Sequence, residues 1–369
     1  MSQCPIPSSN AARPRHGGDV TLAKNAFGRS EIIDFSANMN PLGPPQGVWQ
    51  AVLETLQEIV HYPDPYAREL RTTLAAHLGI EPANLVLGNG SMELLYLLPR
   101  ISRQDRALLP APGFSEYEYG VRLAGLPCQY IYLEPPAYTW NLPALCQAVA
   151  QGGLIFLCNP NNPTGTLLSQ EALAEVLAVL PETALLVMDE AFIDFVDDYR
   201  SLTLVHRAVQ DPRVVVLGSL TKFYALPGLR LGYAAGTTEW VQRLAAQVPP
   251  WNINSLAQAA GTAALQDQEY LAHSREYIRK TRQKFYEALQ TVPGLQPLAP
   301  TANFIFCRLG PELPNAPRLV QLMGQRGFLL RDCSNYRGLD DRCIRLAVRR
   351  PRENEALVAA FKDLLSHGI

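Results

Sequence analysis

The stretch of sequence that decides the fold is Val214-Val215-Val216-Leu217-Gly218-Ser219-Leu220-Thr221-Lys222. A run of four apolar residues followed by a glycine predicts a strand that is buried on both faces of a sheet. Hydroxyl groups and a lysine follow directly where this strand would end. Because open α/β sheets bind their ligands at the carboxyl ends of the strands, the stretch predicts both a core strand and a functional site.

Four similar apolar runs lie upstream, and longer amphipathic stretches separate several of them. The runs cover residues 85–87, 107–109, 154–157 and 185–188. Between the last two, apolar residues recur at helical spacing at Leu173, Val176, Leu177 and Leu180. This alternation predicts an α/β fold in which helices cover both faces of a mixed, mostly parallel sheet.

The pattern along the chain predicts three segments. Residues 1–45 are rich in Pro, Gly, Asn and Ser, so we expect an extended N-terminal arm that packs with a smaller domain. Residues 46–255 carry the alternating pattern and form the expected large domain. Residues 256–369 combine a long helical stretch at 257–288, short strand-like runs and a C-terminal helix at 353–365, which predicts the smaller α+β domain.

The composition excludes several classes of function. With 32 basic and 34 acidic residues the net charge is -2, so we expect no nucleic-acid partner and no attraction to an anionic membrane. No apolar run is long enough to span a bilayer, and the N-terminus lacks the apolar core of a signal peptide. The seven dispersed cysteines form no Cys-x-x-Cys pair, which indicates reduced thiols in the cytoplasm and no metal site.

Four polar motifs follow four of the expected strands. A Gly-rich turn at residues 88–91 opens a helix and offers backbone N–H groups that suit a phosphate. Residues 159–165 place three asparagines in a turn that its prolines and glycine alone do not explain. Asp189 ends a buried strand, where a carboxylate needs a partner such as a protonated heterocyclic nitrogen. Lys222 follows the fourth strand, where a lysine forms an imine if its pKa is lowered.

Taken one at a time, these motifs are also explained by a ligand-free turn, a helix N-cap and a surface lysine. Their order along the chain is more specific. In that order they resemble fold type I of the pyridoxal-phosphate enzymes, the aspartate-aminotransferase-like superfamily of class I and II aminotransferases. The resemblance covers nearly the whole chain, and it implies a large domain with a mixed sheet, a smaller α+β domain and the cofactor pyridoxal 5'-phosphate.

The resemblance also implies which residues hold the ring of the cofactor. Lys222 matches the lysine that forms the Schiff base, and Asp189 matches the carboxylate that keeps the ring nitrogen protonated. Asn162 matches the asparagine that binds the phenolic oxygen of the ring. Tyr117 matches the aromatic residue that stacks on the ring.

A second set of matches implies how the phosphate of the cofactor is held. The backbones of Gly90 and Ser91 and the side chains of Ser219 and Arg230 match the family's phosphate cup. Tyr62 matches a tyrosine that in relatives reaches the phosphate of the neighbouring subunit. This match implies a homodimer with shared active sites.

The residues that the resemblance implies around the substrate are His16, Asn38, Asn162, Arg331 and Arg345. Arg345 matches the arginine that binds the α-carboxylate, for which a planar guanidinium suits bidentate binding. Together with Arg331 it fits a substrate with two anionic groups. Taken alone, Arg331 is also explained as a solvated surface residue, and His16 as an ordinary histidine of the arm.

Phe192 departs from the family's pattern. Many aminotransferases have a tyrosine at this position, and its hydroxyl also binds the phenolic oxygen of the ring. Because that hydroxyl is missing here, we expect the electronics of the bound ring to differ from those of typical transaminases.

Further motifs narrow the resemblance within the superfamily. They cover residues 16–19, 34–43, 189–195, 220–230 and 330–336, and together they resemble the threonine-phosphate decarboxylases of cobalamin synthesis. The expected reaction is decarboxylation of L-threonine O-3-phosphate to (R)-1-amino-2-propanol O-2-phosphate.

The histidinol-phosphate aminotransferases share most of the cofactor motifs and supply the alternative activity. The choice between lyase and transferase stays open at this point, because it depends on which bond at Cα stands perpendicular to the ring. A non-catalytic binding or regulatory protein is less expected, since Lys222 and Asp189 are both present.

Overall fold

The structure is a computed structural model that describes residues 16–366. The first 15 residues of the expected arm, including Cys4, lie outside the described residues. The strands in the described part are β1 (Ile33–Asp34), β2 (Leu85–Asn89), β3 (Ala107–Ala111), β4 (Cys128–Tyr132), β5 (Leu154–Cys158), β6 (Leu185–Asp189), β7 (Val214–Ser219), β8 (Leu231–Ala235), β9 (Leu295–Pro297), β10 (Phe304–Leu309), β11 (Phe328–Leu329), β12 (Arg331–Asp332) and β13 (Cys343–Ala347).

The helices cover both faces of the large sheet and one side of the smaller one. They are α1 (Val20–Phe27), α2 (Gln46–Thr55), α3 (Arg68–Leu78), α4 (Ser91–Ile101), α5 (Ser115–Leu123), α6 (Leu142–Val149), α7 (Gln170–Ala178), α8 (Tyr199–Leu202), α9 (Val205–Ala208), α10 (Leu220–Phe223), α11 (Thr238–Ala245), α12 (Ser255–Gln266), α13 (Gln268–Gln290), α14 (Ala316–Gln325) and α15 (Pro351–Ser366). Within residues 16–366, none of the helices is long and apolar enough to cross a membrane.

The large sheet has seven strands in the order β2-β8-β7-β6-β5-β3-β4. β8 is antiparallel to its neighbours β2 and β7, and the other pairs are parallel, which confirms the expected mixed, mostly parallel sheet. The register aligns Cys158 with Asp189 and Asp189 with Leu217. The carboxyl ends of β5, β6 and β7 therefore lie together at one edge of the sheet.

Successive residues of the central strands pack into opposite layers of the core. Leu186 and Met188 face a layer that α2, α3, α7 and α12 close, whereas Leu185 and Val187 face a layer that α4, α5 and α11 close. All four side chains are buried, and burying one such side chain contributes about 1.5–3 kcal/mol. Burial on both faces explains why these strands are continuous apolar runs in the sequence.

The long stretch at residues 257–288 is helical as expected, and it is divided into two helices. α12 ends at Gln266 and α13 begins at Gln268. The side chain of Asp267 accepts a hydrogen bond from the backbone N–H of Tyr270 at 2.8 Å. A side-chain oxygen in this N-cap position starts a new helix, because it satisfies an N–H group of the first turn.

A second core lies in the C-terminal part of the chain. Strands β12-β13-β10-β9 form an antiparallel sheet in that order, and α13, α14 and α15 pack against it. β1 pairs in parallel with β11, and Phe35, directly after β1, is fully buried in this core. Residues 33–35 thus pack with the smaller sheet. The division of the chain into residues 1–45, 46–255 and 256–369 stays a prediction.

Candidate active site

A cavity of about 960 Å³ lies between the carboxyl ends of β5, β6 and β7 and the strands β12 and β13. Among the described residues, the predicted site residues that line it are His16, Asn38, Ser91, Tyr117, Asn162, Asp189, Phe192, Ser219, Lys222, Arg230, Arg331 and Arg345. Gly90 and Tyr62 are the two predicted residues outside this lining. The four motifs thus converge because the strands that precede them end at one edge.

Lys222 lies on the floor of the cavity in α10, directly after β7. Desolvation lowers the pKa of its amine from 10.5 to about 8, and the positive charges of Arg345 and Arg230 act in the same direction. The carboxylates of Asp189 and Asp34 oppose these effects. A pKa near 8 leaves part of the amine neutral near neutral pH, and the neutral amine is the form that attacks a carbonyl group.

Asp189 is buried at the end of β6. Desolvation raises the pKa of its carboxyl, and three groups offset that effect: the Tyr117 hydroxyl, the Ala191 backbone N–H and the charge of Lys222. Oδ1 accepts from Ala191 N–H at 2.9 Å, and Oδ2 accepts from the Tyr117 hydroxyl at 2.7 Å. One oxygen therefore caps the following turn, while the other faces the cavity side.

Tyr117 is almost fully buried in the cavity wall. Its ring stacks on Phe156, with ring centroids 5.1 Å apart and planes 14° apart, and its hydroxyl donates to Asp189. The hydroxyl contact orients the carboxylate that is predicted to face the ring nitrogen of the cofactor. Stacking of Tyr117 on the cofactor itself stays a prediction.

The side-chain amide of Asn162 is oriented by its neighbours. Its Oδ1 accepts from Arg345 Nη1 at 2.5 Å and from the Tyr336 hydroxyl at 3.5 Å. The amide nitrogen consequently points away from these two donors. A donor in this place agrees with the predicted hydrogen bond to the phenolic oxygen of the cofactor.

Ser91, Ser219 and Arg230, which are predicted to hold the phosphate of the cofactor, lie together in the cavity lining. Ser91 is the first residue of α4, so its N–H has no acceptor within the helix and lies at the positive end of the helix dipole. The Ser219 side chain accepts from Thr221 N–H at 3.3 Å, which leaves its hydroxyl proton for another acceptor. The guanidinium of Arg230 also lines the cavity.

The backbone N–H of Gly90 already has a partner within the protein. It donates to the carbonyl of Arg230 at 2.8 Å, and the predicted contact of Gly90 with a phosphate stays a prediction. A Cβ atom at Gly90 would lie 2.5 Å from Arg230 Nη2, and the residue has a φ of +73°. Glycine is thus required here because it lets the Arg230 guanidinium approach the start of α4.

Arg331 and Arg345 lie side by side in the cavity wall. They are paired residues in the antiparallel register of β12 and β13, and both are buried. Arg331 donates to Asn335 Oδ1 at 2.9 Å, and its guanidinium lies 5.1 Å from the centroid of the Tyr336 ring. The alternative that Arg331 is a solvated surface residue is therefore wrong.

The segment that begins at His16 packs against Ser36, which follows β1. Gly18 N–H donates to Ser36 Oγ at 2.8 Å, and Ser36 Oγ donates to Asp34 Oδ1 at 2.6 Å. A Cβ atom at Gly17 would lie 2.3 Å from the carbonyl oxygen of Ser36, so a larger residue does not fit there. These contacts bring His16 into the cavity wall.

Asn38 is a polar side chain that the protein leaves without partners. It is buried in the cavity wall, and neither its Nδ2 nor its Oδ1 has a hydrogen-bond partner within the described residues. Leaving a buried polar group unpaired costs about 1–3 kcal/mol. A ligand in the cavity relieves this cost, which agrees with the predicted role of Asn38 in binding substrate.

Two further polar residues of the site, Glu116 and Tyr336, have no role in the sequence analysis. Glu116 binds the His16 imidazole with one carboxylate oxygen and the Tyr96 hydroxyl with the other. Tyr336 donates to Asn162 and packs against the Arg331 guanidinium. The sequence carries no local signal for these roles, since the Glu116–His16 and Tyr336–Asn162 contacts span 100 and 174 residues.

Phe192 forms part of the cavity wall and packs edge to face on Phe304, with ring centroids 5.1 Å apart. Phe192→Tyr is expected to lower the pH midpoint of the visible absorbance of the bound cofactor by about 0.5–1 pH unit. The reason is that a new hydrogen bond stabilises the deprotonated phenolic oxygen. The measurement is a pH titration of the spectrum, with Phe192→Leu as a control that changes packing without adding a hydroxyl. An unchanged midpoint would mean that residue 192 does not face that oxygen.

The donors of the cavity fit pyridoxal phosphate. The Lys222 amine, with its lowered pKa, matches the aldehyde of that molecule. The buried Asp189 carboxylate matches its ring nitrogen, and the N-terminus of α4 with Arg230 matches its phosphate. Arg345 Nε, like the amide of Asn38, is buried without a partner in the described chain. Residues 16–366 contain no cluster of His, Cys, Asp and Glu side chains that would hold a metal ion.

Comparison with protein families agrees with this geometry. The family model described as aminotransferase class I and II matches residues 30–361. The chain belongs to the aminotransferase class I and II family. Enzymes of this family depend on pyridoxal phosphate, so the cofactor inferred from the cavity is the cofactor of the family.

Within the aminotransferase class I and II family, relatives of two activities are similar to this chain. A threonine-phosphate decarboxylase of Salmonella typhimurium is 36% identical over 358 residues, which cover 95% of this chain and 96% of the relative. A histidinol-phosphate aminotransferase of Moorella thermoacetica is 33% identical over 356 residues, covering 95% and 90%. The solved histidinol-phosphate aminotransferase from Sinorhizobium meliloti in complex with pyridoxal-5'-phosphate superimposes with a TM-score of 0.86 at 27% identity, covering 94% of each chain.

Tyr62 lies apart from the cavity of its own chain. Its side chain is 80% exposed and stacks on the partly exposed Trp251, with ring centroids 4.6 Å apart. The predicted contact of Tyr62 with a neighbouring subunit requires such exposure, and it stays a prediction.

Proposed function

We propose that this enzyme decarboxylates L-threonine O-3-phosphate to CO2 and (R)-1-amino-2-propanol O-2-phosphate, a step of cobalamin biosynthesis. The observation that carries the proposal is the pair of buried arginines in the cavity wall. Arg345 is 6% exposed, and within the described chain its terminal nitrogens contact only neutral acceptors, Asn162 Oδ1 and the Ser36 carbonyl. A buried cation without a carboxylate partner is costly, so the site favours an anionic ligand.

The spacing of the two arginines supports a small substrate with two anionic groups. Directly opposite residues of an antiparallel pair have Cα atoms about 4.5–5.5 Å apart and side chains on the same face. Threonine phosphate carries its carboxylate on Cα and its phosphate on the adjacent Cβ. We assign Arg345 to the carboxylate, and Arg331 with His16 to the phosphate. The amide of Asn38 forms hydrogen bonds with the same ligand.

Asp189 and Lys222 have separate roles in the proposed reaction. Bound pyridoxal phosphate supplies an electron-accepting ring next to the substrate's amine. Asp189, oriented by the Tyr117 hydroxyl, holds a proton on the ring nitrogen. Loss of CO2 breaks the bond between Cα and the carboxylate and leaves an electron pair, and Lys222 Nζ then delivers a proton to Cα.

A histidinol-phosphate aminotransferase is the second candidate, because the relative from Moorella thermoacetica is nearly as similar as the decarboxylase. The arginine pair alone does not separate the two, since an aminotransferase that accepts a dicarboxylate also needs two cations. Phe192 favours the decarboxylase, because the chain lacks the tyrosine that many aminotransferases use. Product analysis with and without an oxoacid acceptor tests the proposal and is argued in full below.

We further propose that the enzyme is a homodimer in the cytoplasm. Trp49 and Leu53 on α2, and Leu56 and Val60 in the 3-10 helix that follows it, are 47–77% exposed and precede the exposed Tyr62 in the sequence. Contiguous exposed apolar residues are typical of subunit interfaces. A cytoplasmic location is supported by the six described cysteines, all of which are free.

Mixing two impaired variants tests whether the active sites are shared. Tyr62→Ala is expected to lose about ten- to a hundredfold in rate, and Lys222→Ala nearly all activity. If Tyr62 serves the neighbour's site, each hybrid dimer has one intact site, and the mixture recovers up to about a quarter of wild-type activity.

The matched control for this experiment is a mixture of Asn162→Ala with Lys222→Ala. Both residues line the cavity of their own chain, so hybrids of these two variants have no intact site. Exchange of subunits is verified with two tags of different mass. Exchange without recovery in the Tyr62 mixture would exclude shared sites.

A further inference from the structure

Glu116 is a buried carboxylate in the cavity wall for which the proposed reaction gives no role. It is 5% exposed and is the second residue of α5. The cavity lining also contains the cations Lys222, Arg331 and Arg345, of which the two arginines are assigned to the anionic groups of the substrate. A carboxylate in such a place repels an anionic substrate unless a positive group neutralises it.

The contacts of Glu116 join three separate parts of the chain. Oε1 binds His16 Nε2, which comes from the N-terminal segment, and Oε2 accepts from the Tyr96 hydroxyl on α4. The His16 ring also packs on the ring of Phe114, directly before α5, with centroids 5.7 Å apart. The imidazole is therefore fixed from the side of α5 by both a polar and an apolar contact.

The residues after His16 are fixed from the opposite side. Gly18 N–H is held by Ser36 Oγ, and Gly17 lies against the Ser36 carbonyl. That carbonyl also accepts from Arg345 Nη2 at 2.9 Å. The Ser36 carbonyl therefore contacts both the N-terminal segment and Arg345, the arginine that is assigned to the substrate carboxylate.

We propose that Glu116 is a positioning residue which, together with Tyr96, holds His16 in the cavity wall so that the imidazole binds the substrate's phosphate. This inference rests on the proposed function in one respect, namely that the substrate carries a phosphate at this end. Glu116 acts only through His16, because the imidazole shields its carboxylate from the anion. The pair thereby contributes to discrimination between phosphorylated and unphosphorylated amino acids.

Binding measured without turnover tests the proposal. The background is Lys222→Ala loaded with pyridoxal phosphate, and the ligands are L-threonine O-3-phosphate and L-threonine, titrated by calorimetry. Glu116→Gln is expected to weaken threonine phosphate by about tenfold and threonine by less than about twofold, because only the phosphate contact is lost. Glu118→Gln is the matched control, since Glu118 is on the same helix and pairs with Arg122 and Arg337 outside the cavity.

A double-mutant cycle separates positioning from a direct role. His16→Ala with Glu116→Gln is expected to bind threonine phosphate no more weakly than His16→Ala alone, since Glu116 has no effect once His16 is gone. Additive losses would overturn the proposal. So would a Glu118→Gln variant with the same loss of selectivity as Glu116→Gln.

Amide hydrogen exchange gives a readout that does not involve the substrate. The peptide that contains residues 17–19 is expected to exchange faster in Glu116→Gln than in Glu118→Gln, because the N-terminal segment loses its charged contact on the side of α5. Equal exchange would overturn the positioning role. If selective binding and faster exchange hold but no CO2 is released by the wild type, the proposed reaction fails while the role of Glu116 stands.

Discussion

Lys222→Ala is expected to abolish turnover, with a loss of at least about 10²–10⁴-fold from proton transfer alone. The residue is assigned both the covalent bond to the cofactor and the proton delivered to Cα, so no other side chain on the cavity floor replaces it. Lys284→Ala is the matched control, because Lys284 is an exposed lysine of α13. It is expected to keep wild-type activity.

The same lysine is expected to carry the cofactor. Borohydride treatment of the holoenzyme should abolish the visible absorbance and fix the cofactor on the peptide that contains Lys222, as measured by peptide mass. Attachment at any other lysine would contradict the assignment of the cavity as the cofactor site.

The pH dependence of cofactor loading follows from the lowered pKa of Lys222. Because only the neutral amine attacks the aldehyde, the loading rate of the apoenzyme should rise as the pH increases through about 8 and level off above it. An unburied lysine would show this rise near its ordinary value of 10.5 instead. Stopped-flow absorbance at a series of pH values measures it.

The convergence of the cofactor residues was predictable from the sequence for a physical reason. Asn162, Asp189 and Lys222 follow apolar runs that are long enough for buried strands and are joined by helical connections. Parallel strands with such connections end at the same edge of a sheet, so residues directly after them meet. The order of the motifs supplied what a single motif could not, namely the prediction of which turn holds the phosphate and which carboxylate faces the ring.

The parts of the site that were not predictable depend on contacts without a local pattern. The bond from Gly90 N–H to the Arg230 carbonyl joins two strand ends, and nothing in the turn at residues 88–91 indicates that this donor is already used. The bond between Glu116 and His16 spans 100 residues. The division of the helical stretch at Asp267 was not predicted, and a capping side chain decides where α13 begins.

Arg331→Ala is expected to weaken the binding of threonine phosphate by about ten- to a hundredfold while threonine is little affected. A charge-assisted hydrogen bond of a guanidinium to a phosphate contributes about 1.5–3 kcal/mol, which corresponds to that factor. Arg337→Ala is the matched control, because its guanidinium pairs with Glu118 at 2.8 Å on the surface. Equal losses for both ligands would place Arg331 at the carboxylate and not at the phosphate.

The reaction itself is expected to release CO2 and aminopropanol phosphate from threonine phosphate without any oxoacid. Decarboxylation requires the bond from Cα to the carboxylate to stand along the π-system of the ring, whereas transamination requires the Cα–H bond in that place. We expect that Arg331 and His16, by holding the phosphate, would orient the substrate so that the bond from Cα to the carboxylate takes this place. The assay follows CO2 release and product mass with threonine phosphate alone, then with histidinol phosphate and 2-oxoglutarate. If turnover needs 2-oxoglutarate and yields glutamate, the cavity orients Cα–H and the enzyme is an aminotransferase.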